Sequence, residues 1–316
     1  MIGAFRVAAA AAAASVALLG GSAAVVTASA RRTERAHPPA GRFITVSGTR
    51  VHYLDEGSGP PLVLVHGNFV SSADFVASGI VASLASRYRV IAFDRPGCGY
   101  TERPRDTAWT PLQQAELIRA AWLQLEVENP VVVAHSFGCV VAVSLALAHP
   151  ASLKALVLLS GYYYPSLPLE IPLFALPASP VIGDVMRFTV TPALARLTGP
   201  LVAKQMFAPA EVSASFASYP LSMSRRPSQL RATFEDANFM EPAVKALQQH
   251  YRELTMPIEI LAGDADMVID TGQQSMRLAR ELPRARFSAI AGAGHMVHHL
   301  APDRVLAAID RVAAQT

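Results

Sequence analysis

The sequence predicts an α/β fold: a mostly parallel central sheet, helices on both faces, and an inserted helical cap. Three observations lead there. From residue 43 onward, short apolar runs of strand length alternate with helix-like runs, the pattern of parallel strands joined by right-handed crossovers. The central strand-like runs are continuously apolar rather than alternating, as strands buried on both faces require. Between about residues 161 and 256 the alternation stops and then resumes, so an insertion interrupts one domain. A chain of 316 residues can bury one large core, and folds of this class and length commonly form a single domain.

Residues 1–30 stand apart from the fold. Arg6 precedes an uncharged run from Val7 to Ala30, longer than a usual signal-peptide core and long enough to span a bilayer. Ala28, Ser29 and Ala30 have the small-x-small form of a signal peptidase site, and Gly20 and Gly21 are placed to end the apolar core. "RRTER" follows at once, and positive charge directly after a span favours holding that side in the cytoplasm. A cleaved signal and a retained anchor both stay open. The expected location is therefore exported, periplasmic or extracellular, or membrane-attached through residues 7–30. Residues 31–42, ending in "RAHPPAGR", read as a short Pro-rich linker.

The domain itself spans 43–316. "RFITVSGTRVHYLDEG" reads as a hairpin turning at Ser47 and Gly48. "PLVLVHG" is a central strand, "VASGIVASLASRY" a helix, "RVIAFDRPG" a strand and "PLQQAELIRAAWLQL" a helix. "VVVAHS" is the next strand, running through a sharp turn into the apolar helix "FGCVVAVSLALA", which "HP" stops; "ALVLLSG" follows as strand. The insertion is too punctuated by proline for strands and too apolar for a solvated linker, so it reads as a set of short helices. "PIEILAGD" resumes the sheet, "SMRLARELP" is a helix, "ARFSAIAGAGH" a strand with its loop, and "APDRVLAAIDRVA" a last helix with Pro302 in its first turn. No internal repeat is present.

Composition excludes several functions. A net charge of +3 with scattered arginines makes no phosphate-binding stripe and no nucleic-acid surface. Neither G-x-G-x-x-G nor G-x-x-x-x-G-K-S/T follows a strand, so no cofactor is expected. Cys98 and Cys139 cannot make a zinc site alone, and no metal is expected; they read as small buried residues, with a disulfide as the alternative in an exported chain.

Parallel α/β sheets place their sites beyond the carboxyl ends of the strands. Four such loops carry reactive or polar groups here: "HGN" from His66 to Asn68, "HSFG" around Ser136, "GDADMVID" with Asp264, Asp266 and Asp270, and "GAGHMVHH" with His295, His298 and His299. With these in the order Ser, Asp, His, and with "DRPGCGYTERP" similar to a loop of esterase-like and epoxide-hydrolase-like members, the chain from Phe43 to its end resembles the α/β-hydrolase fold superfamily.

The resemblance implies roles residue by residue. Ser136 occupies the position of the nucleophile in an elbow usually written G-x-S-x-G, where small neighbours let strand and helix nearly touch; Ala134 departs from the first glycine. A hydroxyl needs a base, and His295 matches the G-x-G-H position, with His298 and His299 as rivals. The imidazole needs an acceptor. Asp266 fits G-x-x-D counted from Gly263, while Asp264 reads as a turn former and Asp270 as a helix cap. The oxyanion donors would be the backbone N–H groups of Phe137 and Asn68, with Phe69 as alternative to Asn68. "HGN" also occurs in dehalogenase-like relatives, but these use Asp as nucleophile, and Ser136 points away from dehalogenation and epoxide opening. His135, next along a strand, should direct its side chain away from that of Ser136, and "DRPGCGY" reads mainly as architecture. Tyr162, Tyr163, Tyr164, Phe174, Phe188, Phe207 and Phe216 would either line an apolar pocket or fold the cap onto the domain.

The expected function is a cofactor-independent serine hydrolase, carboxylesterase- or lipase-like, cleaving an ester-like bond of a small, hydrophobic substrate. C–C bond, lactone or amide hydrolysis and perhydrolysis are alternatives on the same triad, a membrane-attached hydrolase acting on lipids is a third possibility suggested by the amino-terminal span, and a non-catalytic binding protein is the alternative outside enzymes.

Overall fold

The structure is a computed structural model and describes residues 2–166 and 171–315. Among the described residues, eight strands form one sheet: β1 (Arg42–Val46), β2 (Thr49–Glu56), β3 (Pro61–Val65), β4 (Arg89–Phe93), β5 (Val131–His135), β6 (Ala155–Leu159), β7 (Ile258–Gly263) and β8 (Ala285–Ile290). Their order is β1-β2-β4-β3-β5-β6-β7-β8. The hairpin β1–β2 and the pair β2–β4 are antiparallel, and every other pairing is parallel. The hairpin turns on Ser47 and Gly48 at φ 47° and 82°, the left-handed region that glycine adopts freely.

The apolar strands divide their side chains between two cores. Val132 and Ala134 of β5 with Leu156 and Leu158 of β6 join one cluster, and Val131, Val133, Ala155, Val157 and Leu159 join the other. This is the period of two of a pleated strand. Both faces are covered by helices, so both sets must be apolar.

The helices are α1 (Ile2–Ala36), α2 (Ala73–Ala77), α3 (Ile80–Ala85), α4 (Pro111–Gln124), α5 (Phe137–Ala148), α6 (Ile171–Ala178), α7 (Ile182–Arg187), α8 (Thr191–Phe207), α9 (Pro227–Leu247), α10 (Arg277–Glu281), α11 (Val297–Leu300) and α12 (Pro302–Ala313). Thr110 caps α4 by accepting the Gln113 N–H at 3.3 Å, and Pro111 stands in its first turn. The helix predicted across "VASGIVASLASRY" is two pieces, α2 and α3, broken where Gly79 takes φ 81°.

Helices α6 to α9 fill the interval between β6 and β7, with residues 167–170 outside those described. Two of them are not short. Helices α8 and α9 run for 17 and 21 residues, with Pro200 and Pro242 in their interiors. A proline removes one N–H donor but not the whole helix, so reading each proline as a boundary cut these helices too finely.

Helix α1 runs unbroken through Gly20 and Gly21 and continues through Arg31 to Ala36. The stretch Ala13–Ala36 is long and apolar enough to cross a membrane by length and composition. Its end is tied to the domain: Glu34 pairs with Arg226 at 2.8 Å, and the Tyr100 hydroxyl donates to the carbonyls of Glu34 and His37. Cys98 and Cys139 are both free and buried, and burial pushes each thiol up to about 12.

Candidate active site

Ser136 stands between the end of β5 and the first residue of α5, at φ 52° and ψ −122°. A non-glycine residue adopts this backbone only where its surroundings impose it. Here the imposing contacts are close. Ser136 N–H donates to the Leu159 carbonyl at 2.9 Å, and a methyl on Gly138 would run into the carbonyl oxygens of Val65 and His66. Ala134, wholly buried, fits the same turn, so the elbow forms without the first glycine. The serine side chain keeps partial access to solvent.

His295 and Asp266 reach Ser136 from the loops after β8 and β7. His295 Nε2 lies 2.9 Å from Ser136 Oγ, and His295 Nδ1 lies 2.8 Å from Asp266 Oδ2. The other oxygen of Asp266 accepts the backbone N–H groups of Val268 and Ile269 at 2.8 and 3.0 Å. Asp264 instead accepts the Gly292 N–H at 2.7 Å, and Asp270 accepts the Gln273 N–H at 2.8 Å. Asp264 thus ties the loop after β7 to the loop after β8 rather than closing a local turn, while Asp270 caps the short helical segment Gly272–Met276 as expected.

His298 and His299 do not approach the serine. Their Nε2 atoms lie 2.8 and 2.9 Å from the two carboxylate oxygens of Asp74, and all three side chains are buried. Burial pushes the Asp74 carboxyl up, but the two imidazoles outweigh it and hold the group well below the usual carboxylate range. His298 itself is lowered, because burial outweighs the attraction of Asp74. His135 is wedged between this cluster and the site, with ring centroids 4.9 Å from His295 and 4.5 Å from His298. Its Nε2 lies 3.2 Å from the His295 carbonyl, and burial, then the neighbouring imidazoles, push its pKa well down. Asp74, His135 and His298 bring ligand-type atoms within 4.8 Å of one another. Both carboxylate oxygens are already taken by ring nitrogens, so the group forms a hydrogen-bonded support under the His295 loop.

The loop after β3 borders the serine: a Cβ on Gly67 would lie 3.1 Å from Ser136 Cβ. Asn68 holds this loop to the insert, its Nδ2 donating to the Thr233 carbonyl at 2.9 Å, while its Oδ1 accepts the Phe69 N–H at 3.0 Å. The Phe69 amide is thus already used. Phe137, as the first residue of α5, has an N–H with no partner within its own helix.

Arg95 braces the same loop and was legible in the sequence only as part of a tight turn. Its Nε and Nη2 donate to the carbonyls of His66 and Gly67, each at 2.9 Å. Pinning those carbonyls turns the adjoining peptide planes. Asp236 of α9 neutralises the wholly buried guanidinium and also accepts from Arg103 at 2.9 Å. His66 stays neutral, its pKa pushed down to about 4 by burial and then by Arg95. The "DRPGCGY" turn hangs on Asp94, which accepts the N–H groups of Ser72 and Tyr100 at 2.9 Å each.

The insert meets the site directly. The His295 N–H donates to the Met206 carbonyl of α8 at 2.9 Å, and a methyl on Gly294 would strike the carbonyls of Phe207 and Ala208. Phe207 and Phe216 are buried with Val70 and Met296, Tyr163 and Tyr164 belong to the larger core, and Tyr162 packs on Val140 of α5. These aromatics hold the insert to the domain; Phe188 is half-buried, and the side chain of Phe174 lies outside those described.

Residues 60–302 match the family described as alpha/beta hydrolase fold. An uncharacterised protein of Mycobacterium tuberculosis is 28% identical over 292 residues, which cover 87% of this chain and 81% of that protein. Haloalkane dehalogenase 2 of Mycobacterium bovis is 24% identical over 279 residues, 86% of this chain and 94% of its own. The crystal structure of a membrane phospholipase A superposes with a TM-score of 0.66 at 20% identity, covering 99% of this chain and 100% of that one. The family match takes in the strands β3 to β8 and every loop that borders Ser136, and on that basis the chain belongs to the alpha/beta hydrolase fold family.

Proposed function

We propose that the protein is a serine hydrolase that cleaves an ester-like bond of a small, hydrophobic substrate through an acyl-enzyme. The observation that carries this reading is the hydrogen-bond series from Ser136 Oγ through His295 to Asp266, on a serine whose backbone is held at φ 52°. His295 Nε2 takes the proton as Oγ attacks the carbonyl carbon, and Asp266 keeps the other ring proton on Nδ1 and stabilises the imidazolium. The N–H groups of Phe137 and Asn68 receive the developing oxyanion, with Phe137 favoured by the dipole of α5. The alcohol leaves with the proton from His295, and a water deprotonated by the same nitrogen releases the acid. A serine at this position, in place of the aspartate of dehalogenase-like relatives, favours acyl transfer over halide displacement.

Covalent labelling by a fluorophosphonate probe tests the reading. Wild type should label, and Ser136→Ala should not. A folded wild type that fails to label removes the serine-nucleophile proposal.

We also propose that α1 is retained as a membrane anchor. Its length and apolar composition, the arginines that close it, and its attachment to the domain through Glu34 and Arg226 support this. The protein should remain in the membrane fraction with residues 1–30 present in the mature chain. A mature chain beginning at Arg31 would instead establish a cleaved signal.

A further inference from the structure

Among the described residues, large apolar side chains open to solvent concentrate in α1 and in the helices α6 to α8 of the insert. Along α8 and the residue before it, Val190, Leu194, Leu197 and Leu201 are 58%, 59%, 78% and 67% exposed. Their spacing of four, three and four residues is that of a single helical face. The buried residues of the same helix, Thr191, Ala203 and Phe207, lie off that face. On neighbouring α7, Ile182 and Val185 are also turned outward. A soluble monomer seldom leaves so much apolar surface together.

What covers this face is indicated by α1. Val16, Leu19 and Ala23 share a groove with Val185 and Phe188, and Ser22 Oγ donates to the Phe188 carbonyl at 3.3 Å. The insert therefore touches the apolar helix about a dozen residues before its terminal arginines. At the rise of an α-helix that is roughly 18 Å, close to half of a ~30 Å hydrocarbon core. Arg31, Arg32 and Arg35 are exposed, and in a bilayer crossed by α1 they would fall at the level of the headgroups, where positive charge is favourable.

We propose that the outer face of α7 and α8 is a bilayer-docking surface, seated among the acyl chains of the leaflet next to the domain and continuous with α1. The docked helix is joined to the site, since Met206 of α8 accepts the His295 N–H. It follows, if the serine-hydrolase reading holds, that the substrates are ester-bearing amphiphiles reaching Ser136 from the leaflet rather than through bulk water.

The test uses the full chain reconstituted into phosphatidylcholine and phosphatidylglycerol vesicles, with the wild-type emission subtracted. Leu197→Trp should show a blue-shifted emission quenched by lipids brominated at mid-chain, while Leu123→Trp, at the far end of α4, should not be quenched. Emission left unquenched in vesicle-bound Leu197→Trp protein overturns the proposal, whether water or a second copy of the chain covers the face. In Leu194→Glu/Leu197→Glu/Leu201→Glu, hydrolysis of a vesicle-borne long-chain ester should fall by at least about tenfold, with hydrolysis of soluble p-nitrophenyl butyrate within about twofold of wild type. Equal loss on both substrates, or loss on neither, overturns the leaflet route. Absence of hydrolysis of both the vesicle-borne and the soluble ester in wild type defeats the serine-hydrolase reading alone, because the quenching result stands independently.

Discussion

Replacing Asp266 by asparagine sets two demands on one amide. The carboxylate directs Oδ2 at His295 Nδ1 and presents Oδ1 to the N–H groups of Val268 and Ile269. An asparagine has one accepting end and one donating end. Two backbone donors hold the carbonyl at the Oδ1 position, so the NH2 group turns toward His295 Nδ1. That nitrogen must then offer its lone pair, which places the ring proton on Nε2, where it cannot accept the proton of Ser136. The fold is kept while the imidazole is locked in the wrong tautomer. Under the proposed serine-hydrolase mechanism the expected loss is about 10⁴-fold in kcat, or about 5 kcal/mol of transition-state stabilisation. Steady-state hydrolysis of p-nitrophenyl butyrate, with melting temperature as the control for folding, measures it. Activity within tenfold of wild type at an unchanged melting temperature would refute the assignment of Asp266 as the group that orients His295.

Three further outcomes are expected. Asp236→Asn leaves the buried guanidinium groups of Arg95 and Arg103 without their shared carboxylate, and urea unfolding should show a loss of about 3–5 kcal/mol; a loss below about 1 kcal/mol would contradict the pairing. The pKa values of His66, His135 and His298 are all lowered by burial, so as pH falls below the ordinary 6.5 the unfolded chain takes up protons first. Stability from these groups is present above pH 6.5 and is lost as pH falls toward their folded values; for His66, lowered to about 4, the gap corresponds to about 3 kcal/mol. Calorimetry should find a lower melting temperature at pH 5 than at pH 7.5, and equal values would disprove the argument. Gly138→Ala forces a methyl against the Val65 and His66 carbonyls and should lower both the melting temperature and the rate of fluorophosphonate labelling, whereas labelling at the wild-type rate would show that the elbow tolerates the bulk.

The sequence by itself determined what depends on local period and on motif. Continuous apolar runs such as "VVVA" announce a strand buried on both sides, because alternate residues enter different cores, and the structure divides Val131 to Ala134 in that way. Ser136, Asp266 and His295 were picked out because the turns after their strands match those of the family the chain resembles, and the structure places His295 within hydrogen-bond distance of the other two side chains. Other features depend on which distant loops meet. Asp74 binds His298 and His299 from more than two hundred positions away, and Arg95 finds Asp236 in α9. Nothing local marks either carboxylate as a partner, since burial of a charge is acceptable only after its counter-charge has arrived. The same holds for the insert: its prolines read as boundaries until the packing of α8 and α9 sustained the helices through them. Only the tertiary structure, finally, decided which apolar side chains of α8 face inward. A helical period states that a face exists, and the neighbours that cover it, or leave Leu197 uncovered, come from elsewhere in the chain.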